Sequence, residues 1–144
     1  MASASGEPIE WDDLGTMTAD PTDYPNHAHK LVAKVLETRS LEDLTTPCGV
    51  LVCGSGVGMS IAANRYKKIR AVLAYRADVA ALSRQHNASN VLCLGARIST
   101  TDEVKKIFVT WLSTSFEGDR HQKRIDLMDT LDDNLESKKK VARQ

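Results

Sequence analysis

Two kinds of apolar pattern alternate along this chain. Gly49-Val50-Leu51-Val52-Cys53, Ala71–Tyr75 and Val91–Leu94 are short, apolar runs, the first of them β-branched, the pattern of strands buried on both faces of a parallel sheet. Between them the spacing turns helical. Over Tyr24–Thr38, Ala28, Leu31, Val32, Val35 and Leu36 recur on one face; Asp102–Ser113 does the same with Val104, Ile107, Phe108, Trp111 and Leu112. Ser60–Tyr66 and Asp78–His86 read as shorter helices. A last helix starts near Asp119, carries Ile125, Met128 and Leu135, and runs out into a frayed, solvated ESKKKVARQ. Ile9–Leu14 alternates enough for a short strand before the turn-rich GTMTADPTDYP. Strands alternating with helices predict an α/β domain with a parallel sheet. We expect a disordered leader over 1–8, one domain over 9–130 and a frayed tail over 131–144, with no internal repeat.

Composition narrows the function. The 144 residues suffice for one core but not for two ordinary domains. Nineteen basic and nineteen acidic residues cancel, so no global field draws the chain to nucleic acid or to a membrane surface. No apolar run reaches the length of a membrane span, and MASASGEPIEW lacks the basic and apolar regions of a signal peptide. A soluble, cytoplasmic protein is expected. Cys48, Cys53 and Cys93 are odd in number and lack metal spacing, which argues for reduced thiols rather than a disulfide framework or a zinc site.

The most informative stretch is CGSGVGMSIAANR, residues 53–65. It places a thiol at the tip of a strand and follows it with a glycine-rich turn and a helix, so backbone N–H groups converge on whatever binds there. It is no Walker loop, because no Gly-Lys-Ser/Thr follows. It is a poor dinucleotide fingerprint too, since Met59 stands where a third glycine belongs. An isolated strand-end cysteine is more often a packing residue than a catalytic one. Cys48 and Cys93 read as packing residues. His27 and His29, two apart on a helix, diverge and form no metal pair. RYKKIR over 65–70 and KKK over 138–140 read as surface charge.

The runs CGSGVGMSIAANR, IRAVLAYRADVAALSRQHNASNVLCLGARI and FEGDRHQKRIDLM, with DLGT and DYPNHAHKLVAKVLE upstream, resemble ribose-5-phosphate isomerase B and the related galactose-6-phosphate isomerase subunits over about residues 11 to 130. The resemblance implies a Rossmann-like three-layer fold and an aldose–ketose isomerase of ribose 5-phosphate and ribulose 5-phosphate. Such an enzyme works through an enediolate, without metal or nucleotide cofactor. It assigns Cys53 as the base, acting as a thiolate, and His86 as the group that opens the sugar ring. Gly54, Ser55, Gly56, Val57 and Gly58 become the cradle for the enediolate oxygen. Asn87 becomes a substrate ligand, and Arg97, Arg120 and Arg124 the phosphate clamp. Arg120 and Arg124 are four apart at a helix start, so both can project from one face. A homodimer or tetramer with a shared site is implied as well. Trp111 and Phe116 could serve that interface, although Trp111 at helical spacing is more often internal.

Two departures qualify this. Family members begin with a strand ending in a Gly-Ser/Thr-Asp-His type motif and a helix before DLGT, and here DLGT stands at 13–16. About thirty residues of the pattern, with an Asp and a His that contact the sugar, have no counterpart in this sequence. A shortened sequence, a catalytically impaired sugar-phosphate-binding relative, or completion by a partner chain each account for that. The second departure is Tyr75-Arg76, where many members carry His-Asp. A nucleotide-binding Rossmann module is the remaining reading.

Overall fold

The computed structural model describes residues 10–38 and 49–141; Cys48 and the expected leader lie outside them. The elements in chain order are α1 (Tyr24–Thr38), β1 (Gly49–Cys53), α2 (Val57–Ala63), β2 (Ala71–Leu73), α3 (Ala77–Asn87), β3 (Val91–Gly95), α4 (Thr101–Ser113) and α5 (Arg120–Val141). The three strands form a parallel sheet in the order β1-β3-β2, with Cys53 level with Gly95 and Leu73 level with Cys93. β3 has a neighbour on each side, and all five of its residues are buried. This is why its sequence is continuously apolar rather than alternating.

Helices cover both faces, giving three layers. On one, Ala28, Val32 and Val35 of α1 meet Met59 and Ala63 of α2 over Leu51 and Cys93. On the other, Ala80 of α3 and Ile107 and Trp111 of α4 cover Leu92 and Leu94. Trp111, 1% exposed, therefore belongs to this chain's own core; Phe116 is half-buried. α4 starts on a capping box in which Thr100 Oγ1 accepts from the Glu103 N–H and the Glu103 carboxylate accepts from the Thr100 N–H. The Thr100 N–H and hydroxyl, both donating to it, hold the Glu103 carboxyl below its ordinary range.

Three boundaries differ from the sequence expectation. α2 begins at Val57 rather than Ser60, because Gly56, at φ +79°, turns the chain straight into a helix whose Ser60 N–H bonds the Gly56 carbonyl at 3.0 Å. β2 ends at Leu73 rather than Tyr75, since Arg76 is already the extended N-cap of α3. The strand expected over Ile9–Leu14 is absent from its described part. Glu10–Leu14 instead runs irregularly along the rim of a cavity of about 780 Å³ beside β1, also lined by α1 and α4. It is held by side chains: Trp11 packs against Phe108, Asp12 pairs with Lys34, and Lys30 donates to the Leu14 carbonyl. Among the described residues no strand pairs with its backbone, so its alternation has no ladder to join.

A polar knot locks α3 to α4 inside the second core. Arg84, fully buried, donates to the carbonyls of Ser89 (2.6 Å) and Thr114 (3.3 Å) and lies 5.9 Å from the Trp111 ring centroid. Trp111 Nε1 donates to Ser89 Oγ at 2.8 Å, and that hydroxyl also pairs with Ser83 Oγ. Ser89→Ala leaves the indole N–H buried without its acceptor and is expected to cost about 1–3 kcal/mol. In a Trp111→Phe background the same change should cost clearly less. Urea unfolding of the four proteins of this double-mutant cycle measures the difference.

Candidate active site

The C-terminal ends of β1 and β3 build one cluster. Cys53, half-buried, ends β1, and its carbonyl accepts from the Ala96 N–H at 2.9 Å, tying it to the turn after β3. Its Sγ accepts from the Gly56 N–H at 3.1 Å. The loop between them is tightly packed. A Cβ on Gly56 would stand 2.6 Å from a Leu73 methyl and 2.9 Å from the Leu94 backbone, and one on Gly95 would stand 2.7 Å from the Ser55 carbonyl oxygen. Only glycine fits either position. The Tyr24 ring lies against Gly58, and the Arg97 side chain lies over Gly54, where a Cβ would be 3.4 Å from Arg97 Cδ. The Arg97 N–H also bonds the Gly54 carbonyl at 2.9 Å. Cys53, Gly54, Ser55, Gly56, Val57 and Gly58 are thus brought together, and Arg97, read in the sequence as part of the phosphate clamp with Arg120 and Arg124, lies over this loop instead. Within this cradle, though, the Gly56 N–H faces the sulfur and the Val57 N–H faces Ser55 Oγ at 3.3 Å.

The second thiol cannot share this role. Cys93 is fully buried in β3, and burial, with Cys53 nearby, pushes its pKa up to about 12. It remains a neutral packing residue.

His86, Arg120 and Arg124 form a different cluster, built around two residues the sequence reading did not single out. His86 lies in the last turn of α3, and its ring stacks on that of His121 in the first turn of α5, with centroids 4.3 Å apart and planes within 3°. Glu117 Oε2 is 3.8 Å from His86 Nε2 and 3.7 Å from His121 Nε2. The Glu117 N–H bonds the Gln85 carbonyl, which fixes the loop onto α3. Arg120 Nε donates to His121 Nε2 at 3.4 Å, and Arg124 follows one helical turn later. His121 is 4% exposed, and its buried Nδ1 has no hydrogen-bond partner. Burial first, then His86, Arg120 and Arg124, hold its pKa below the ordinary imidazole range, with Glu117 opposing them. Asn87, exposed at the end of α3, instead lines a cavity of about 390 Å³ with Lys68, Arg70 and Asp129.

His86, Glu117 and His121 offer ligand atoms within 4.8 Å of one another, a composition that suits a transition metal. The ring orientation does not. An imidazole binds a metal in its own plane, and two parallel stacked rings share no such point. The flanking arginines add further repulsion to a cation.

One chain does not unite the two clusters. α3 returns antiparallel to the strands and ends at Asn87, just before β3 begins at Val91, whereas Cys53 sits level with Gly95 where β3 finishes. About 13 Å of strand separates those levels.

An α/β scaffold with a thiol and a glycine loop at the carboxyl end of its sheet, and a separate cationic end, defines a class of anion-handling site. The comparisons make it particular. A sequence model of the ribose/galactose isomerase family matches residues 2–128, and the chain belongs to that family. It is similar to ribose-5-phosphate isomerase B of Escherichia coli, 39% identical over 86% of this chain and 79% of the relative. It also resembles the probable ribose-5-phosphate isomerase B of Mycoplasma genitalium, 46% identical over 79% of this chain and 72% of that one. Among solved structures, the isomerase from Thermotoga maritima superposes with a TM-score of 0.76 at 43% identity, covering 84% of this chain and 79% of its own. The Mycoplasma genitalium structure with bound ribulose-5-phosphate gives 0.74 at 40% identity, over 83% and 76%.

Because folding keeps His121 neutral, the unfolded chain takes up the extra proton as pH falls through the ordinary imidazole value of 6.5. Stability should therefore drop below that pH and be regained above it. His121→Gln should flatten that part of the profile. A series of urea midpoints for both proteins between about pH 8 and about pH 5 checks this.

Proposed function

We propose that this chain is an aldose–ketose isomerase interconverting ribose 5-phosphate and ribulose 5-phosphate, with Cys53 as the base. The observation that carries the reading is the half-buried Cys53 sulfur at the strand tip, facing the Gly56 N–H, in a loop whose Gly54 lies under the Arg97 side chain. As a thiolate, Cys53 takes the proton from C2 of the open-chain aldose, the C1 carbonyl oxygen gathers the charge, and an enediolate forms. Movement of the O2 hydroxyl proton to O1 and return of the carbon-bound proton to C1 then give the ketose, and the sulfur is a thiolate again. The Gly56 N–H that faces the sulfur stands where it can also meet charge on a neighbouring substrate oxygen, so one donor serves base and intermediate. No redox cofactor is consumed, since the substrate's own C1 and C2 exchange oxidation states. A base that must stay a thiol suits a reducing compartment, the cytoplasm.

The ring opener and the phosphate clamp come from a second copy. His86, Arg120 and Arg124 stand at the opposite end of the sheet from their own Cys53, so a two-fold dimer that sets one copy's cationic end against the other's Cys53 loop completes two equivalent sites. Arg120 and Arg124 then grip the phosphate while His86 moves a proton to the ring oxygen. Asn87 joins as a substrate ligand at the same helix end.

A second reading, a sugar-phosphate-binding relative with impaired turnover, draws on the cavity beside β1. Val52 is 52% exposed there, and among the described residues β1 pairs only with β3.

Ribose 5-phosphate turnover by the purified chain is the direct test. Cys53→Ala should abolish it while leaving substrate binding within a few-fold; binding without turnover in the unaltered chain would favour the second reading. Mixing Cys53→Ala with His86→Asn, each inactive alone, should restore roughly a quarter of wild-type activity after subunit exchange, because half the dimers are then mixed and one of their two sites is intact. No recovery despite proven exchange would place both residues of a site in one chain.

A further inference from the structure

We propose that Tyr75 is a positioning residue for Cys53, acting through a single peptide unit. The Ser55–Gly56 peptide is bonded at both of its polar ends. Its carbonyl accepts from the Tyr75 hydroxyl at 2.9 Å, and its N–H donates to Cys53 Sγ at 3.1 Å. It is also wedged sterically, with the Ser55 carbonyl against Gly95 and the Gly56 Cα against Leu94 and Leu73. Gly56 is in the left-handed region, at φ +79°, which sets that N–H toward the sulfur.

The two bonds are coupled. A hydrogen bond to an amide oxygen draws electron density from the nitrogen and makes the N–H at the other end a stronger donor. An amide N–H aimed at sulfur holds its direction and supports a thiolate over a thiol. Tyr75 thereby reaches the base without touching substrate. Its own place is set by the end of β2: pairing stops at Leu73, and the Ala74 N–H still bonds the Cys93 carbonyl at 3.2 Å. The chain then turns at Arg76, whose guanidinium pairs with Asp78 in the first turn of α3. Tyr75 is held between two anchored neighbours, and its hydroxyl crosses to a loop twenty residues earlier in the chain.

The consequence for turnover rests on the isomerase reading; the effect on the thiol does not. Tyr75→Phe keeps the ring and removes the donor. Iodoacetamide alkylation of Cys53, followed by mass spectrometry near neutral pH, should slow by about threefold. In turnover, kcat should fall about fivefold with KM unchanged, since the substrate is untouched. Replacing Tyr75 with 3-fluorotyrosine, a stronger donor of nearly the same shape, should instead speed alkylation, which a packing role for the ring would not do. Thermal melts of both variants establish that they are folded. The proposal is overturned if folded Tyr75→Phe is alkylated at the wild-type rate or faster, or if the fluorinated protein does not exceed wild type. If the unaltered chain shows no turnover, the isomerase reading fails and alkylation alone decides on Tyr75.

Discussion

A helix that joins two parallel strands must run back against them, and this one constraint of direction sorts every chemical group in the protomer. Residues at strand ends, Cys53 and Gly95 with the turns that follow, collect at one edge of the sheet. Residues at helix ends, His86 and Asn87, collect at the other. α5 then packs His121 onto His86 and brings Arg120 and Arg124 to that second edge. No side-chain rotation closes a gap set by the height of the sheet. On the isomerase reading, the pairing of base and clamp is therefore a matter of assembly, and a two-fold axis is the cheapest solution because it completes both sites with one interface.

The edge that carries Cys53 is rigid for a reason that starts in β3. Its residues are all buried, Val91–Cys93 are paired on both sides and Gly95 is paired with Cys53, so the position of Gly95 is fixed by the core rather than by the loop. Missing Cβ atoms at Gly95 and Gly56 let the Ser55–Gly56 peptide sink against it. Rigidity passes from core to strand to peptide to sulfur. The two thiols show what this placement does: Cys93, two residues inside β3, is locked neutral by burial, whereas Cys53 at a strand tip meets a hydrogen-bond donor and the mouth of a cavity.

Much of this was legible in the sequence. The continuous apolar runs named all three strands, and helical spacing placed α1 and α4 within a residue of their observed bounds. The glycine spacing after Cys53 announced a close-packed turn. What could not be read was anything that depends on which chain segments meet. The alternation in Ile9–Leu14 is a real strand signal, but a strand also needs a neighbour, and the described part of this one lies across a cavity from β1. The motifs named His86, Arg120 and Arg124 but said nothing of the end of the sheet on which they stand. His121 was in plain view inside DRHQKR, but its stacking on His86 and its buried Nδ1 arise only once α5 crosses α3. Tyr75 stood out as a departure from the family pattern, and its tie to Ser55 gives that departure a physical use.

The charge state of the cationic end follows from the same packing. A protonated His121 would add a charge beside Arg120 and Arg124 and against the His86 ring, in a position only 4% exposed. Leaving it neutral limits the repulsion that two clustered guanidiniums already carry, and Glu117 offsets part of the remainder. An arriving phosphate changes that balance, because two negative charges next to the imidazole favour the proton that burial had excluded. Glu117 lies at nearly equal distance from His86 and His121, so its carboxylate offsets charge on either ring.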